Sequence, residues 1–534
     1  MISDVMRSSF RFLVLAALCA GTSFCAQSQI AQSQNANANA NANANANAAP
    51  VTSTKLPLRV LIVSGGPSRD YNQYAIESNA RYLQKLTADA QSQRILFADG
   101  DKKSRNISAL PPAASEAGAR ARAGHVLAWL FDLEFPSEKP VYRASTLSRI
   151  DGPATQVSIL QSVRQLAQDA KPGQQSLLYF TGHGSPGRKT RLTLRGLKSE
   201  DDFQNTTYAG WNDGALSVSN LAEALDGWPQ DVPLIVVMVQ CHSGGFANLM
   251  FEGGNPKNPV ASRNFCGFFA ATGERQASGC TSEVDEVDYQ DFTTHFFAAL
   301  SGKSREGRAV RGADWDKNGA VSMLEALAWT NLRDDSIDVP LCTSEAYLRS
   351  VFPANTAPDW VKTPYLSLLA DAAPWQRATL EGLSTDLKLS GENRIQSAID
   401  KRAIAAREVE GEMQTSNFAL TGAMQRRFTR LKSALQTRFP DLRAPQNSAR
   451  FREAERRALL GMQTRKTDVA ALSDTLESWS VGSEHAANRE AQCHRFVRAA
   501  RTLFLEKKLR AEGTPAQKIQ LARFRAAENR NPLR

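Results

Sequence analysis

Short, uninterrupted apolar runs separated by helix-like stretches constrain this chain most, and they extend from Leu56 to about Phe352. A strand that is apolar along its whole length has to be buried on both faces, as in a parallel sheet with helices above and below it. The sequence therefore predicts an α/β fold with a mainly parallel sheet covered by helices on both faces. The predicted strands are LRVLIVSGG, RILFADGD, SLLYFTGHG, PLIVVMVQ and FCGFFAATG.

The stretches between these runs carry helix signals. Apolar residues recur at helical spacing from Ile76 to Leu83. Thr155 is a predicted N-cap for the helix that precedes the third strand. Asn220 and Glu223 are predicted to form a capping box at the start of the helix LAEAL, which precedes the fourth strand.

The composition changes after about Trp375, where Gly and Pro become rare. Residues 377–534 contain 30 Lys and Arg against 18 Asp and Glu, a balance of +12, while the whole chain carries +10. We therefore predict a separate, basic all-α domain at 377–534, joined by a linker at 353–376. Its charge suits an anionic surface or a partner protein, against the default alternative of solvated helix faces. No specific nucleic-acid partner is predicted, because the basic residues lack interleaved aromatic side chains.

The first 55 residues are predicted to lie outside the folded part. Arg7 and Arg11 precede an apolar run at residues 12–20 and then small residues, a pattern typical of a secretory signal peptide and too short to span a bilayer. We assign the signal peptide to residues 1–25. The Asn-Ala alternation within residues 26–55 is typical of a flexible linker. The expected protein is exported, to the periplasm or beyond the cell.

Two of the seven cysteines lie in the predicted signal peptide, and the other five are Cys241, Cys266, Cys280, Cys342 and Cys493. An odd number leaves at least one thiol unpaired in an oxidising compartment. Two interpretations stay open. One is a single reactive cysteine with up to two disulfide bonds, and the other is a set of buried, apolar-like thiols.

Two chemically active side chains follow the ends of two predicted strands. Cys241 comes directly after PLIVVMVQ, and His183 lies near the end of SLLYFTGHG. Ligands bind at the carboxyl ends of parallel strands, where neighbouring strands would place thiol and imidazole side by side. We predict Cys241 as a nucleophile and His183 as its base, with the amides of Gly184 and Cys241 holding an oxyanion. His242 competes as the base, but its place beside the nucleophile on one backbone favours a supporting role.

The blocks TGHGSPG and QCHSGGF resemble the His-Gly and Cys blocks of the caspase-like clan of cysteine peptidases. The first block and VLIVSGGPSRDYNQYAIESNARYLQKL are most similar to the legumain (asparaginyl endopeptidase) family, while Cys-His-Ser-Gly is closer to metacaspases and bacterial caspase-like proteins. The resemblance implies a caspase-like peptidase domain at residues 56–352, acting on protein or peptide substrates through a thioacyl-enzyme. It also implies that Asn72 orients His183.

Substrate specificity does not carry over. Legumains continue to Arg-His where this chain has Tyr74 and Ala75, and metacaspases have Asp where this chain has Val239. Neither Asn/Asp nor Arg/Lys specificity is therefore implied for P1, the substrate residue before the cleaved bond.

The segment after the fifth strand is where the clan builds the wall of its P1 pocket. Glu274, Asp285 and Asp288 are acidic substrate-binding candidates there, against the alternative of a solvated acidic loop.

Other functions stay open. The same residues suit a caspase-like pseudoenzyme or binding scaffold, or a transpeptidase that passes the acyl group to an amine. In legumains a helical pro-segment covers the active site until it is cleaved off. The helical domain here, which follows a linker containing Asn355, has two interpretations: a latency cap or a partner-binding module.

Residues 314–325, DWDKNGAVSMLE, match an EF-hand calcium loop. A structural Ca²⁺ is therefore predicted, although the loop is single and the helix that would enter it is poor. The alternative is a loop that turns into a helix by capping. No organic cofactor is predicted, since no dinucleotide fingerprint occurs. The predicted ligands are Asp314, Asp316, Asn318, the carbonyl of Ala320, Ser322 and Glu325.

Overall fold

The computed structural model describes residues 56–110, 117–131, 140–187, 205–287, 289–353, 358–415, 422–446, 448–463 and 466–534. The predicted signal peptide, the Asn-Ala linker, Asp288 and Asn355 lie outside these ranges.

Ten strands are present in the described ranges: β1 (Leu58–Gly65), β2 (Ser92–Phe97), β3 (Ile107–Ala109), β4 (Val141–Arg143), β5 (Gln175–Ser185), β6 (Thr207–Gly210), β7 (Gly214–Ser217), β8 (Leu234–Met238), β9 (Phe265–Phe269) and β10 (Leu341–Cys342). The central sheet has eight strands, with the order β10-β9-β8-β5-β1-β2 and with β6 and β7 extending from β5. The pairs along this path are parallel except β9–β10. Strands β3 and β4 form a separate antiparallel pair.

The α-helices of the described ranges are α1 (Tyr74–Leu86), α2 (Ala117–Phe131), α3 (Gln156–Gln168), α4 (Val218–Ala224), α5 (Phe292–Ser301), α6 (Met323–Arg333), α7 (Thr343–Val351), α8 (Tyr365–Leu369), α9 (Pro374–Asp386), α10 (Arg394–Thr415), α11 (Gly422–Arg438), α12 (Ala449–Gln463), α13 (Lys466–Glu512) and α14 (Pro515–Glu528). The longest of the described 3₁₀ segments, Ser243–Met250, begins two residues after the candidate nucleophile.

Both faces of the sheet are buried. Alternate residues of β1 enter different cores, Leu61 and Val63 on one face and Val60 and Ile62 on the other. Helices α3 and α4 contribute to the first core, and α1, α5 and α6 to the second. The predicted α/β fold, with a mainly parallel sheet covered on both faces, is confirmed.

The helix caps agree with the sequence in one case and differ in another. Thr155 accepts the amide of Ser158 as the predicted N-cap of α3. The box predicted at Asn220 and Glu223 is wrong by three residues, because Ser217 is the N-cap of α4. The hydroxyl of Ser217 accepts the Asn220 amide at 3.2 Å, and Oδ1 of Asn220 accepts the Ser217 amide at 3.3 Å.

The C-terminal helices do not form a separate domain, contrary to the prediction. Leu505, Leu509, Leu521 and Phe524 belong to the same core as one face of the sheet, and Ala527 belongs to the core on the other face. The separate domain was predicted from the change in composition. An amphipathic helix has the same sequence pattern whether it packs on other helices or on a sheet, so composition does not distinguish the two arrangements.

Two further contacts bind the helical region to the α/β part. Glu528 is fully buried and accepts hydrogen bonds from the amide and the hydroxyl of Ser344 at the start of α7. Helix α2 packs its apolar side chains against α11, α12 and α13 in a core of their own. Among the helices of the described ranges, none combines the length and the apolarity needed to cross a membrane.

Candidate active site

Strands β5 and β8 bring the two predicted catalytic residues to the same level of the sheet. Phe180 of β5 is in register with Met238 of β8. His183 and Cys241 each lie three residues further along their strands' directions. A Cβ atom on Gly184 would lie only 2.1 Å from the carbonyl oxygen of Cys241. Glycine is required there, because a side chain would force the two segments apart.

His183 is held at one ring nitrogen. Its Nε2 atom lies 2.9 Å from the backbone carbonyl oxygen of Tyr71 and 2.8 Å from Oε1 of Gln73. A carbonyl oxygen can only accept a hydrogen bond, so Nε2 carries the proton in the neutral ring. Nδ1 is then the basic nitrogen of His183.

The surroundings keep His183 uncharged. Burial lowers the pKa of His183 to about 4, and the hydrogen bond to the Tyr71 carbonyl acts in the opposite direction. At neutral pH the imidazole is therefore able to accept a proton, as a general base must.

The Cys241 thiol contacts both backbone polar groups of Ala277, a residue in a neighbouring loop. Its Sγ atom lies 3.3 Å from the amide nitrogen of Ala277, which donates to it, and 3.6 Å from the Ala277 carbonyl oxygen. Burial raises the pKa of Cys241 to about 11, with the amide of Ala277 opposing that effect. Thiol and imidazole are therefore both neutral in the resting protein.

The loop that carries Ala277 crosses the carboxyl ends of the central strands, and we call residues 271–287 the strand-end loop. The carbonyl of Arg275 accepts the amide of His242, next to the candidate nucleophile, at 2.7 Å. Further along, the carbonyl of Thr281 accepts the amide of Ala75 at the start of α1 at 2.9 Å. The segment predicted to form the P1 wall is thus attached to both sides of the candidate site.

Asn72 does not orient His183, contrary to what the resemblance implied. Its side chain is fully buried, and Oδ1 accepts the amide of Gly66 at 3.2 Å. Nδ2 donates to the carbonyl of Asn106 at 3.1 Å. Both ends of the carboxamide are therefore engaged in fixing the turn after β1, and the residues on either side of Asn72 hold the histidine.

His242 points into the strand-end loop. It adopts a left-handed backbone conformation, with φ of 60°, and its Nδ1 atom lies 2.8 Å from the carbonyl oxygen of Gly273. Burial lowers the pKa of His242, while the Gly273 carbonyl and Glu274 act in the opposite direction. The hydrogen bond to Gly273 engages Nδ1 with the loop.

The two acidic substrate-binding candidates of the described residues, Glu274 and Asp285, are exposed on the strand-end loop. Oδ1 of Asp285 accepts the backbone amide two residues later at 3.1 Å, so it caps a local turn. The neighbouring Glu286, which the sequence did not single out, is more firmly engaged. It binds the guanidinium of Arg81 and accepts the hydroxyl of Tyr74.

Gln240, which immediately precedes the nucleophile, is another residue that sequence reasoning missed. It is 1% exposed, and neither polar atom of its carboxamide has a hydrogen-bond partner among the described residues. A Cβ atom on Gly184 would lie 2.6 Å from the Cγ atom of Gln240. An unpaired buried polar group costs about 1–3 kcal/mol. A polar residue ending an apolar run was the signal that could have drawn attention to it.

The five cysteines outside the predicted signal peptide are all free thiols. Cys241 is partly exposed, whereas Cys266, Cys280, Cys342 and Cys493 are buried. The described residues thus contain none of the disulfide bonds that the sequence left open. Cys280 comes close to the site, since its Sγ lies 3.5 Å from the carbonyl oxygen of Gly182. Burial raises the pKa of the Cys280 thiol well above its ordinary value.

The predicted calcium loop brings three carboxylates together. Ligand oxygens of Asp314, Asp316 and Glu325 all lie within 4.8 Å of one another, close enough to hold one cation. Glu325 is buried and also forms the capping box of α6 with Ser322, whose amide lies 2.8 Å from its Oε2. The metal-loop and the capping interpretations are therefore both compatible with this geometry.

The remaining predicted ligands shape the same turn. Asp314 accepts the amides of Asn318 and Gly319 at 3.1 and 2.9 Å. Oδ1 of Asn318 accepts the amide of Ala320 at 2.9 Å. Gly319 has a φ of +89°, which favours glycine at the sharp bend.

No family model matches the chain, and no curated protein matches it either. Among solved structures, it is similar to the crystal structure of protein GSU0716 from Geobacter sulfurreducens, with 11% sequence identity over 53% of this chain and 92% of that chain. The TM-score of 0.30 is too low to establish a shared fold.

Proposed function

We propose that this protein is a cysteine endopeptidase of the caspase-like clan that cleaves peptide bonds through Cys241 and His183. The observation that carries the proposal is that the two residues leave neighbouring parallel strands at the same level. The hydrogen bonds at Nε2, which leave Nδ1 as the basic nitrogen, add to it.

In the proposed reaction, Nδ1 of His183 takes the thiol proton while Sγ of Cys241 attacks the carbonyl carbon of the scissile bond. The amides of Gly184 and Cys241 stabilise the oxyanion. The leaving amine then takes the proton from the imidazolium, and a thioacyl-enzyme remains. The neutral imidazole activates a water molecule, which hydrolyses the thioester and restores the thiol.

The exposed carboxylates of Glu274 and Asp285 are our candidates for contacts with a protein or peptide substrate. Their position on the strand-end loop, which also contacts the nucleophile through Ala277, supports this part of the proposal. A P1 preference does not follow from either side chain.

One observation favours a second candidate function, a pseudoenzyme or binding scaffold. The Cys241 sulfur contacts both the amide and the carbonyl of Ala277, and burial keeps its pKa high. A resting thiol of this kind is less reactive than an exposed thiolate. A transpeptidase would share every step up to the thioacyl-enzyme and would differ only in the acceptor.

Profiling of the purified protein on a peptide library, read by mass spectrometry, tests the peptidase. Cys241→Ala and His183→Ala should each lower kcat/KM by about 10⁴-fold or more, and the double variant should lose little more, because the pair acts as a unit. Cys493→Ala, which changes a buried thiol in the helical region, is the matched control. Absence of both cleavage and labelling of Cys241 by an acyl-reactive probe would leave the scaffold. Product ligation on adding an amine acceptor would identify a transpeptidase.

We also propose that the loop at 314–325 binds one Ca²⁺, with Asp314, Asp316 and Glu325 supplying carboxylate oxygens. Oxygen ligands from a turn with this spacing suit calcium. A bound ion would stiffen the start of α6, which packs in the same core as α5.

Export and partner binding remain proposals as well. The charge and apolar pattern at residues 7–20 supports export. For the helical region, exposed arginines on α11, among them Arg426, Arg427 and Arg430, support contact with an anionic surface or partner protein.

A further inference from the structure

Helix α13 contacts the loops around the candidate nucleophile at two places. We propose that Glu490 of α13 is a positioning residue for Cys241, acting through Arg275 of the strand-end loop. This inference rests on the proposed function, because it assigns Glu490 a role in the reactivity of that thiol. If it is correct, the C-terminal region is needed for the reactivity of the site and is not a latency cap that can be removed.

The first contact is an ion pair beside the nucleophile. Nη2 of Arg275 lies 2.8 Å from Oε2 of Glu490, and the two side chains are 20% and 11% exposed. The backbone carbonyl of the same arginine accepts the amide of His242 at 2.7 Å. Because His242 directly follows Cys241, this hydrogen bond connects the peptide that carries the thiol to Arg275.

Glu490 is the central anion of a cationic neighbourhood. Its Oε1 atom accepts Nε of Arg402 at 2.6 Å, and Nη1 of Arg275 lies 3.5 Å from Nδ1 of His494, one turn further along α13. Burial first, and then the charges of nearby arginines including Arg402, Arg498 and Arg275, lower the pKa of His494. His494 therefore stays neutral, and the carboxylate of Glu490 balances Arg275.

The second contact reaches the thiol through Asp338 and the residues Ala277 and Ser278 of the strand-end loop. Arg495 lies five residues after Glu490 on α13 and is 2% exposed. It donates to the backbone carbonyls of Asp338, Ser336 and Asp334 at 2.7, 2.9 and 2.5 Å. These bonds fix the loop in front of β10. The carboxylate of Asp338 accepts the amide of Ser278 at 2.6 Å.

Ser278 immediately follows Ala277, whose amide donates to the sulfur of Cys241 at 3.3 Å. Two routes thus run from one helix to one thiol. The route through Arg495 depends on two buried side chains, those of Arg495 and Asp338, and its loss would endanger the fold. The route through Glu490 and Arg275 is less deeply buried, with side chains 11% and 20% exposed, so its loss should destabilise the protein without unfolding it.

The test compares Glu490→Ala and Glu490→Gln with Glu512→Gln. Glu512 lies on the same helix, is 60% exposed and pairs only locally with Lys508. For each variant, peptide hydrolysis, the rate of Cys241 alkylation by iodoacetamide, hydrogen exchange of the peptide that contains His242, and Tm are measured. Thiol alkylation and hydrogen exchange require no catalytic turnover.

For Glu490→Ala we expect kcat to fall by about 100-fold with KM unchanged, as for a misplaced reacting atom. The His242 amide should exchange faster and the alkylation rate should change. Tm should also fall below that of Glu512→Gln, because Arg275 and Arg402 lose the carboxylate that they share. Glu490→Gln, which can still accept from Arg275, should recover part of each effect. A lower Tm with unchanged exchange and alkylation would overturn the positioning role.

The outcomes also separate this inference from the proposed function. If the wild-type protein cleaves no peptide, but Glu490→Ala still changes the exchange of His242 and the alkylation of Cys241, the contact positions the thiol and the peptidase proposal fails. If the wild type cleaves peptides and Glu490→Ala leaves exchange and alkylation unchanged, the positioning role fails alone.

Discussion

The backbone carbonyl of Tyr71 accepts a hydrogen bond from Nε2 of His183 at 2.9 Å. The bond joins the turn after β1 to the end of β5 and selects the tautomer of the histidine. A backbone group cannot be removed by substitution, so the second acceptor on the same nitrogen, Oε1 of Gln73, offers the experimental handle.

Gln73→Glu should raise the pKa of His183 by about one unit or more, because a carboxylate at this distance favours the imidazolium. The acid limb of the kcat/KM profile should then move to higher pH, whereas Gln73→Ala should lower the rate without moving the limb upward. The measurement is the pH dependence of hydrolysis for the three proteins. An identical limb for the wild type and Gln73→Glu would contradict the assignment of His183 as the base.

Protein stability should fall as the pH drops from about 6.5 to about 4. The pKa of His183 is about 4 in the folded protein and about 6.5 in an unfolded chain, so the unfolded chain binds the proton first and folding loses free energy on acidification. The contribution of the neutral ring is complete above pH 6.5 and amounts to roughly 3 kcal/mol.

Urea unfolding at several pH values checks this effect, with His183→Gln as the comparison. The free energy of unfolding of the wild type should decrease more steeply over this window than that of the variant. Parallel curves would mean that His183 titrates alike in the folded and unfolded states.

Alkylation of Cys241 by iodoacetamide should be slow at neutral pH and should keep rising up to about pH 11. The reason is that burial raises the pKa of this thiol to about 11, and the thiolate is the reacting form. Intact-mass kinetics with Cys241→Ser as the blank give the profile. A plateau already at pH 6–7 would instead indicate a preformed thiolate–imidazolium pair.

Truncation after Phe352 should unfold the protein, in contrast to the activation that a latency cap would give. It removes Leu505, Leu509, Leu521 and Phe524 from the core of the sheet. Each such side chain contributes about 1.5–3 kcal/mol when buried, so their joint loss is comparable with a total stability of about 5–15 kcal/mol.

Soluble yield, circular dichroism and peptide hydrolysis of the truncated protein decide this point. A truncated protein that is well folded and more active would support the interpretation of the helical region as a latency cap. Full-length protein cleaved by a protease within the linker and kept under native conditions is the control, because its core remains complete.

Calcium should raise Tm if the loop at 314–325 is occupied, since a ligand that binds only the native state stabilises it by about 2.7 kcal/mol at 100 times its Kd. Asp314→Asn and Asp316→Asn should abolish the shift. Asp359→Asn, which changes an exposed carboxylate paired with Lys362, is the control. Equal Tm values in excess calcium and in excess chelator would leave Glu325 with its capping role alone.

The neighbouring positions of His183 and Cys241 at the strand ends could be predicted, because both residues are visible in the sequence. His183 and Cys241 stand out as reactive residues after apolar runs, and a parallel sheet of neighbouring strands brings such ends together. The groups that hold His183 were not predictable in the same way. One is a backbone carbonyl, which leaves no trace in the sequence, and the resemblance pointed to Asn72, whose carboxamide is engaged elsewhere.

The arrangement of the C-terminal helices was also beyond the sequence. Their composition, charge and residue spacing predict amphipathic helices, but they do not identify the surface that each apolar face contacts. Only the three-dimensional structure shows Phe524 in the core with β8 and β9, and Glu490 against Arg275. The same uncertainty affected the predicted linker at 353–376, where Tyr365, Leu368 and Leu369 are buried with side chains of α13.

The position of Phe524 and Ala527 in the two cores of the sheet sets the order of events during biosynthesis. Strands β1 to β9 leave the ribosome long before the helix that completes their packing, so the nascent α/β part lacks one portion of its apolar cover until α14 has been made. We therefore expect a ribosome-bound chain to be more prone to aggregation before α14 has been made than after it. Cooperative folding of the two complete cores therefore requires that α14 has been synthesised.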